Sequence, residues 1–258
     1  MTNSDEAFKA TQAFQAAVAE LADVLPNGFR ENGSGGALLA TTGSMIPALN
    51  GIMSAAHSPD KAEIAQLCDM AEAHVQGLPW SIRLRGEPED GIVAVAAEHG
   101  LTTRTQQPFM LLKLDADRAW QESAQASASV RPLGDDEDEL FAEVLGAAFG
   151  APPMIIASLY TPLVLSQPFV RAYVAEVDGV PAAAGLAILT EEHVGLANIG
   201  TVSDYRHLGL GRAVTEAILR DGYAAGARTA YLHSSEEALP LFEHAGFRTA
   251  EFWTFFTA

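Results

Sequence analysis

The chain has 258 residues, 48% of them apolar, and 33 acidic against 15 basic side chains give it a formal net charge of −18. That is enough chain for one large domain or two small ones, with no run of about 18 apolar residues to cross a membrane, and an acid surplus spread over both halves that repels nucleic acid and anionic lipid. The single cysteine, Cys68, excludes an intrachain disulfide, and the polar start MTNSDEAFKATQAF is unlike a signal peptide, so a cytoplasmic, reducing setting is expected.

Residues 5–25 read as a helix whose stripe runs through Phe8, Phe14, Val18, Leu21 and Leu25, stopped by Pro26-Asn27-Gly28. NGSGG at 32–36 is a loop rather than a phosphate site, because the strand-like ALLAT follows it and not a helix. Pro47, Asn50 and Gly51 mark 47–56 as loop or broken helix. A helix over 60–76 follows, with Asp60 as its cap, Glu63 three residues on, and Ile64, Leu67 and Val75 on the apolar face. Cys68 belongs to that helix as a packing residue, not a nucleophile. A strand at 79–84, a short helix at 88–98 and a strand at 107–114 complete the first half.

The polar, small-residue stretch after Asp115 reads as a linker. Asp135–Glu139 is five acids in a row, a favourable helix start before Leu140, Phe141, Val144 and Leu145 rather than a metal site. Asp178-Gly179 between the apolar runs 170–177 and 180–189 predicts a hairpin. A strand at 229–232, a helix at 235–245 stopped by Gly246, and a strand at 248–256 close the pattern.

Between hairpin and final strands lies GLANIGTVSDYRHLGLGR, residues 195–212. It reads as a buried strand, a break at Ser203-Asp204, a loop with Gly209 and Gly211, and a helix whose Val214, Ala217 and Ile218 recur on one face. The first N–H groups of a helix lack internal partners and sit at the positive end of its dipole. Glycines let a phosphate approach them, and Arg206 and Arg212 add charge. The stretch therefore reads as a pyrophosphate cradle. It is neither a Walker loop, since no Gly-Lys-Ser/Thr ends it, nor a dinucleotide fingerprint, since Val214 stands where a third glycine belongs.

Both halves carry an echo. Glu98-His99-Gly100-Leu101 and Glu243-His244-Ala245-Gly246-Phe247 each close a helix and precede an apolar strand. The first half has no counterpart of the Arg206–Gly211 loop.

RHLGLG at 206–211, the strand ending IGTVSDY before it, and SSEEALPLFEHAGF at 234–247 together resemble the GCN5-related N-acetyltransferase (GNAT) superfamily over residues 130–258. The first half resembles a degenerate second copy, giving expected domains at 1–118 and 130–258 with a linker at 119–129. The resemblance implies an α/β fold: a mixed, mostly antiparallel sheet with helices on both faces. In it the strands at 195–202 and 229–232 run parallel and splay, a bulge helping to open them, and acetyl-CoA enters the gap as co-substrate without a metal. It further implies that the amides of His207, Leu208, Gly209, Leu210, Gly211 and Arg212 hold the pyrophosphate with Arg206 beside them. Gly200, Thr201 and Val202 would meet the pantetheine arm, the Val202 N–H polarising the thioester carbonyl, and Ser235 would stand at the cofactor arm. Many relatives carry a tyrosine proton donor where this chain has Phe242, which keeps only a cofactor contact. His193 is the candidate base, with Glu191, Glu192 and Asn198 near it; Ser234, Ser235 and His233 are alternative donors, and Tyr160 and Tyr173 candidate pocket residues. The expected activity is direct acetyl transfer to a primary amine on a small molecule or peptide, the alternative a non-catalytic acyl-CoA sensor or scaffold. No nucleic-acid or membrane partner is expected, and a homodimer is left open.

Overall fold

The computed structural model describes residues 3–117 and 128–258. Its elements fall into two units, Met1–Phe109 with Thr249–Ala258, and Met110–Arg248. Most of the expected linker at 119–129 lies outside the described residues. The unit boundaries also differ from the expected domains: the final strand clusters with the first unit.

The first unit opens with α1 (Asn3–Val24), then β1 (Phe29–Asn32), β2 (Leu38–Thr41), β3 (Asn50–Ser54), α2 (Lys61–Val75), β4 (Ser81–Arg85), α3 (Asp90–Glu98) and β5 (Thr103–Lys113), whose residues up to Phe109 count here. Anticipating the rest of the chain, β11 (Arg248–Thr257) joins this sheet, in the order β1-β2-β3-β4-β11-β5. Strand β3 was not expected. Asn50-Gly51 looks like a turn, yet all five β3 residues are buried and pair parallel to β4 from Gly51↔Ser81 to Ser54↔Leu84. Only glycine fits there: φ is +125°, and a Cβ would lie 1.9 Å from the Ser81 carbonyl oxygen. Asn50 is held by its side chain, which accepts from the Thr42 N–H at 3.0 Å and donates to the Ser44 carbonyl at 2.7 Å.

Asp60 caps α2 as expected, accepting from the Ala62 N–H at 3.0 Å. Glu63 does not complete a capping box. It turns to the NGSGG loop instead, where Oε1 accepts from Gly35 and Ala37 N–H groups at 2.6 and 3.2 Å. Helices α2 and α3 cover one sheet face with Ile64, Leu67, Cys68 and Val95 against Ile52, Ile82, Leu84 and Phe256. Burial pushes the Cys68 thiol up to about 12. On the α1 face, Phe14 packs with Phe109 and Trp253, and Arg85 forms a bidentate pair with Glu251 at 2.8 and 2.6 Å.

The second unit contains residues 110–113 of β5, β6 (Ala128–Pro132), α4 (Asp138–Phe149), α5 (Pro153–Leu159), α6 (Pro162–Leu165), β7 (Val170–Val177), β8 (Val180–Thr190), β9 (His193–Thr201), α7 (Leu210–Ala224), β10 (Thr229–His233) and α8 (Leu239–His244). Its sheet runs β5-β10-β9-β8-β7-β6. The hairpin forms where expected, with Asp178 and Gly179 at φ 51° and 79° in its turn. Strands β9 and β10 are parallel; the remaining pairs from β9 to β6 are antiparallel. Helix α7 lays Leu210, Val214, Ala217 and Ile218 on the sheet, in one core with Ala183, Val194 and Leu232. Helix α8 is shorter than expected, because 234–238 form a turn before it. The acids at 135–139 do open a helix, and Glu137 with Glu176 brackets Arg131. Among the described residues no group of three or more His, Cys, Asp or Glu could hold a metal, and no helix is long and apolar enough to cross a membrane.

The two halves of the chain share one order of elements. In each, a helix leads into a hairpin and a third strand; a crossover helix follows (α2 or α7), then a strand parallel to the third (β4 or β10), a short helix, and a last strand (β5 or β11).

Candidate active site

The site is built where β9 and β10 part. They pair over only three positions, Thr229↔His193 to Tyr231↔Gly195, although β9 runs on to Thr201. A bulge accompanies the parting. Between Ala197 and Gly200, β9 has three residue steps where β8 has two, from Leu186 to Ala184. The extra residue, Asn198, holds φ at 50°.

Past β9 the chain makes one 3₁₀ turn at Ser203–Tyr205 and enters the glycine loop. His207 and Gly209 both have positive φ, 63° and 78°, which turns successive N–H groups to one side. Gly209 is the N-cap of α7, and no side chain caps that helix. The amides of His207 to Arg212 find no acceptor among the described residues; the next one, Ala213, donates to the Gly209 carbonyl at 2.9 Å. The expected cradle is therefore a row of uncommitted donors at a helix N-terminus.

These amides open on a cleft of about 520 Å³ within the second unit. Ile199, Gly200 and Thr201 form one wall, the 206–212 loop the floor, Ser235, Ala238 and Leu241 the far wall, and Ala148 with Phe149 the rim. The last turn of α4 reaches the rim because it lies directly on Gly200. Phe149 is 50% exposed there, an apolar surface the sequence reading missed. Arg206 fastens the mouth: its guanidinium donates to the Thr201 and Ala148 carbonyls at 3.4 and 3.2 Å and lies 3.9 Å from Glu237. Its charge is thus partly committed. Arg212, also on the cleft, makes no ion pair with a described residue.

Several expected site residues are placed differently. The Val202 N–H donates to the Ala182 carbonyl at 2.9 Å and is not free to polarise a thioester. Ala184↔Gly200 stands in the same phase of the ladder, so Gly200 also turns its groups to β8. Thr201, between them, turns the opposite way; its carbonyl is the one Arg206 reaches, and its N–H faces the same side. The bulge at Asn198 sets this phase. His193 begins β9, eight residues from Thr201, roughly 26 Å along an extended strand. Its ring faces Tyr231 at 6.5 Å, so it is not a base for this cleft. Glu191 and Glu192 share that distant end.

Phe242 is buried in the core, edge-on to Phe247 at 5.9 Å; Leu241 faces the cleft in its place. Ser235 does line the cleft, and its hydroxyl oxygen accepts from the Ala238 N–H at 3.2 Å. The Ser234 hydroxyl is buried and donates to the Ser235 carbonyl at 2.8 Å. Tyr173 belongs to a separate cleft, donating to Asp221 at 3.0 Å. Tyr160 and Asn198, which the sequence offers separately, are brought together: the Asn198 amide donates to the Tyr160 hydroxyl oxygen.

Residues 168–249 match the model of the acetyltransferase (GNAT) domain family. Among solved structures, the chain is similar to a GCN5-related N-acetyltransferase from Kribbella flavida (18% identity, TM-score 0.71, 97% of this chain and 95% of that one). It is also similar to a functionally unknown conserved protein from Staphylococcus epidermidis ATCC 12228 (14%, 0.65, 91% and 95%). A third is a GCN5-related N-acetyltransferase from Sphaerobacter thermophilus (14%, 0.59, 86% and 80%). No curated protein matched. The second unit thus carries a match to the acetyltransferase (GNAT) domain over residues 168–249, and the α/β architecture of the chain is the GNAT fold.

Proposed function

We propose that the protein moves an acetyl group from acetyl-CoA to a primary amine by direct transfer. The observation that carries this is the run of amides from His207 to Arg212 without acceptors, next to a strand pair that opens at Gly195. A diphosphate needs several N–H donors at one spot, and a narrow amide-bearing arm needs a strand edge. The 206–212 loop would hold the diphosphate, with Arg212 adding charge and Ser235 at the far wall. Thr201 would offer its N–H and carbonyl to the arm, and its N–H takes the polarising role expected of Val202. The amine must arrive or become neutral before it attacks, since a protonated amine has no lone pair.

The first unit, in this reading, is a second copy that no longer binds coenzyme. Asp60 occupies the N-terminus of α2, where α7 has Gly209 and free amides, and β3 stays paired with β4 up to its own last residue, Ser54↔Leu84. A cytoplasmic setting, in which Cys68 stays reduced, belongs to the same reading. The acceptor is a small-molecule or peptide amine.

The test is calorimetric titration with CoA, followed by free-thiol release from acetyl-CoA across a panel of amines. Binding with amine-dependent thiol release is expected; no binding would overturn the reading. One observation favours the non-catalytic alternative, a buried phenyl ring at Phe242 in place of a proton donor. That alternative requires CoA binding with no thiol release on any amine.

A further inference from the structure

Tyr160 follows the last residue of α5, with its ring edge-on to Phe141 at 5.5 Å and 81°. The residue is 4% exposed. Its oxygen accepts from the Asn198 amide, but its own O–H meets no acceptor among the described residues. Buried hydroxyls normally use their hydrogen, so a buried donor with nothing to donate to points to a group supplied from outside. The direction is informative. Asn198 is the extra residue of the β9 bulge, and its neighbour Ile199 lines the cleft. The Tyr160 hydroxyl therefore sits beside the part of β9 where the slot opens.

We propose that Tyr160, oriented by Asn198, is the proton donor to the sulfur that leaves in the acyl transfer; this rests on the acetyltransferase reading above. The amine nitrogen bonds to the thioester carbonyl carbon, and the carbon–sulfur bond breaks with its electron pair on sulfur. The Tyr160 hydrogen passes to that sulfur. The proton shed by the new amide nitrogen returns to the phenolate oxygen through solvent, leaving amide, free thiol and the original phenol. Of the other candidates, Phe242 has no hydroxyl and the Ser234 hydroxyl donates to a carbonyl, while Ser235 stands at the far wall of the cleft, across from β9. Burial also raises the pKa of Tyr160, which keeps the phenol protonated at neutral pH and drives a transient phenolate to recover its proton.

The test reads the bound thiol directly and needs no acceptor. A donor aimed at sulfur favours the thiolate, so CoA bound to the unmodified protein should titrate below the ordinary thiol value of about 8.5, by about one pH unit. This is followed by the ultraviolet absorbance of the thiolate. In Tyr160→Phe the bound thiol should return to its ordinary value, with the CoA dissociation constant unchanged within about twofold and acetyl-CoA turnover down at least about tenfold. Asn198→Gly, which removes the amide while accepting the positive φ of the bulge, should give a smaller shift in the same direction. Identical thiol titrations in the unmodified protein and Tyr160→Phe would overturn the assignment. So would a loss of CoA affinity that matches the loss of turnover, because Tyr160 would then merely hold the bulge. Absence of CoA binding by the unmodified chain would overturn the acetyltransferase reading itself, a result distinct from any variant effect.

Discussion

Replacing Gly209 by alanine tests the cradle with a single methyl group. A Cβ at Gly209 would meet nothing within 4 Å, so the change introduces no clash. What it disturbs is the backbone, since φ is +78° and an L-residue held in the left-handed region costs roughly 1–2 kcal/mol. Gly209 is exposed and no side-chain cap fixes it, so the free protein can relax the loop and escape that strain. Relaxation rotates the amides out of line. A bound diphosphate must pull them back, and the roughly 1–2 kcal/mol then appears as an affinity about 5- to 30-fold weaker. Calorimetry with CoA should show that loss while the melting temperature barely moves. Gly209→Val, with its branched side chain, should lose more. Wild-type CoA affinity in both variants would refute the argument that these amides grip the ligand.

Calorimetry should also return one CoA per chain, since Asp60 and Glu63 place carboxylates at the start of α2; a stoichiometry of two would show that the first unit still binds coenzyme. Arg83 is 4% exposed, burial lowers it to about 10, and its partners are the Phe14 ring at 5.4 Å and the Met53 sulfur at 3.9 Å rather than a carboxylate. Arg83→Met should therefore stabilise the chain, by about 1–4 kcal/mol, read as a higher melting temperature; a fall would mean that ring and sulfur hold the charge well. Arg131 holds Glu137 below the ordinary carboxylate value, aided by the Gly134 N–H. Because the folded value is the lower one, this stabilisation is present above the unfolded pKa and disappears as pH falls through the folded one. Between about pH 5 and pH 3 the wild type should lose more stability than Glu137→Gln, and parallel curves would refute the linkage.

The sequence was most legible where backbone geometry demands a particular residue. Gly209 before the Val214–Ile218 face marked the loop and helix, and Asp178-Gly179 marked the hairpin, because few residues accept positive φ. The same rule misled at Asn50-Gly51, where glycine serves close approach to β4 rather than a turn. Helices α5 and α6 went unread although Pro153 and Pro162 stand in their first turns and the Thr161 hydroxyl caps the second. The Val202 error was one of phase. Motif spacing counts residues evenly, while the bulge at Asn198 shifts which N–H faces the slot. His193 was near in sequence but at the wrong end of its strand. Tyr160 and Asn198 are far apart in the chain, so their pairing depends on how α5 packs, which no local pattern encodes.

The placement of β11 has a consequence for how the protein comes into being. In the first unit's sheet it lies between β4 and β5, carrying Trp253 and Phe256 into that core. A ribosome delivers β4 and β5 early, yet the strand between them only after all of 110–248 has emerged. Throughout that interval the nascent first half exposes two unsatisfied strand edges and an unfilled core, a template for wrong pairing. Its maturation is tied to completion of the second half, so that a prematurely released fragment is destined for chaperones or proteolysis rather than for independent life.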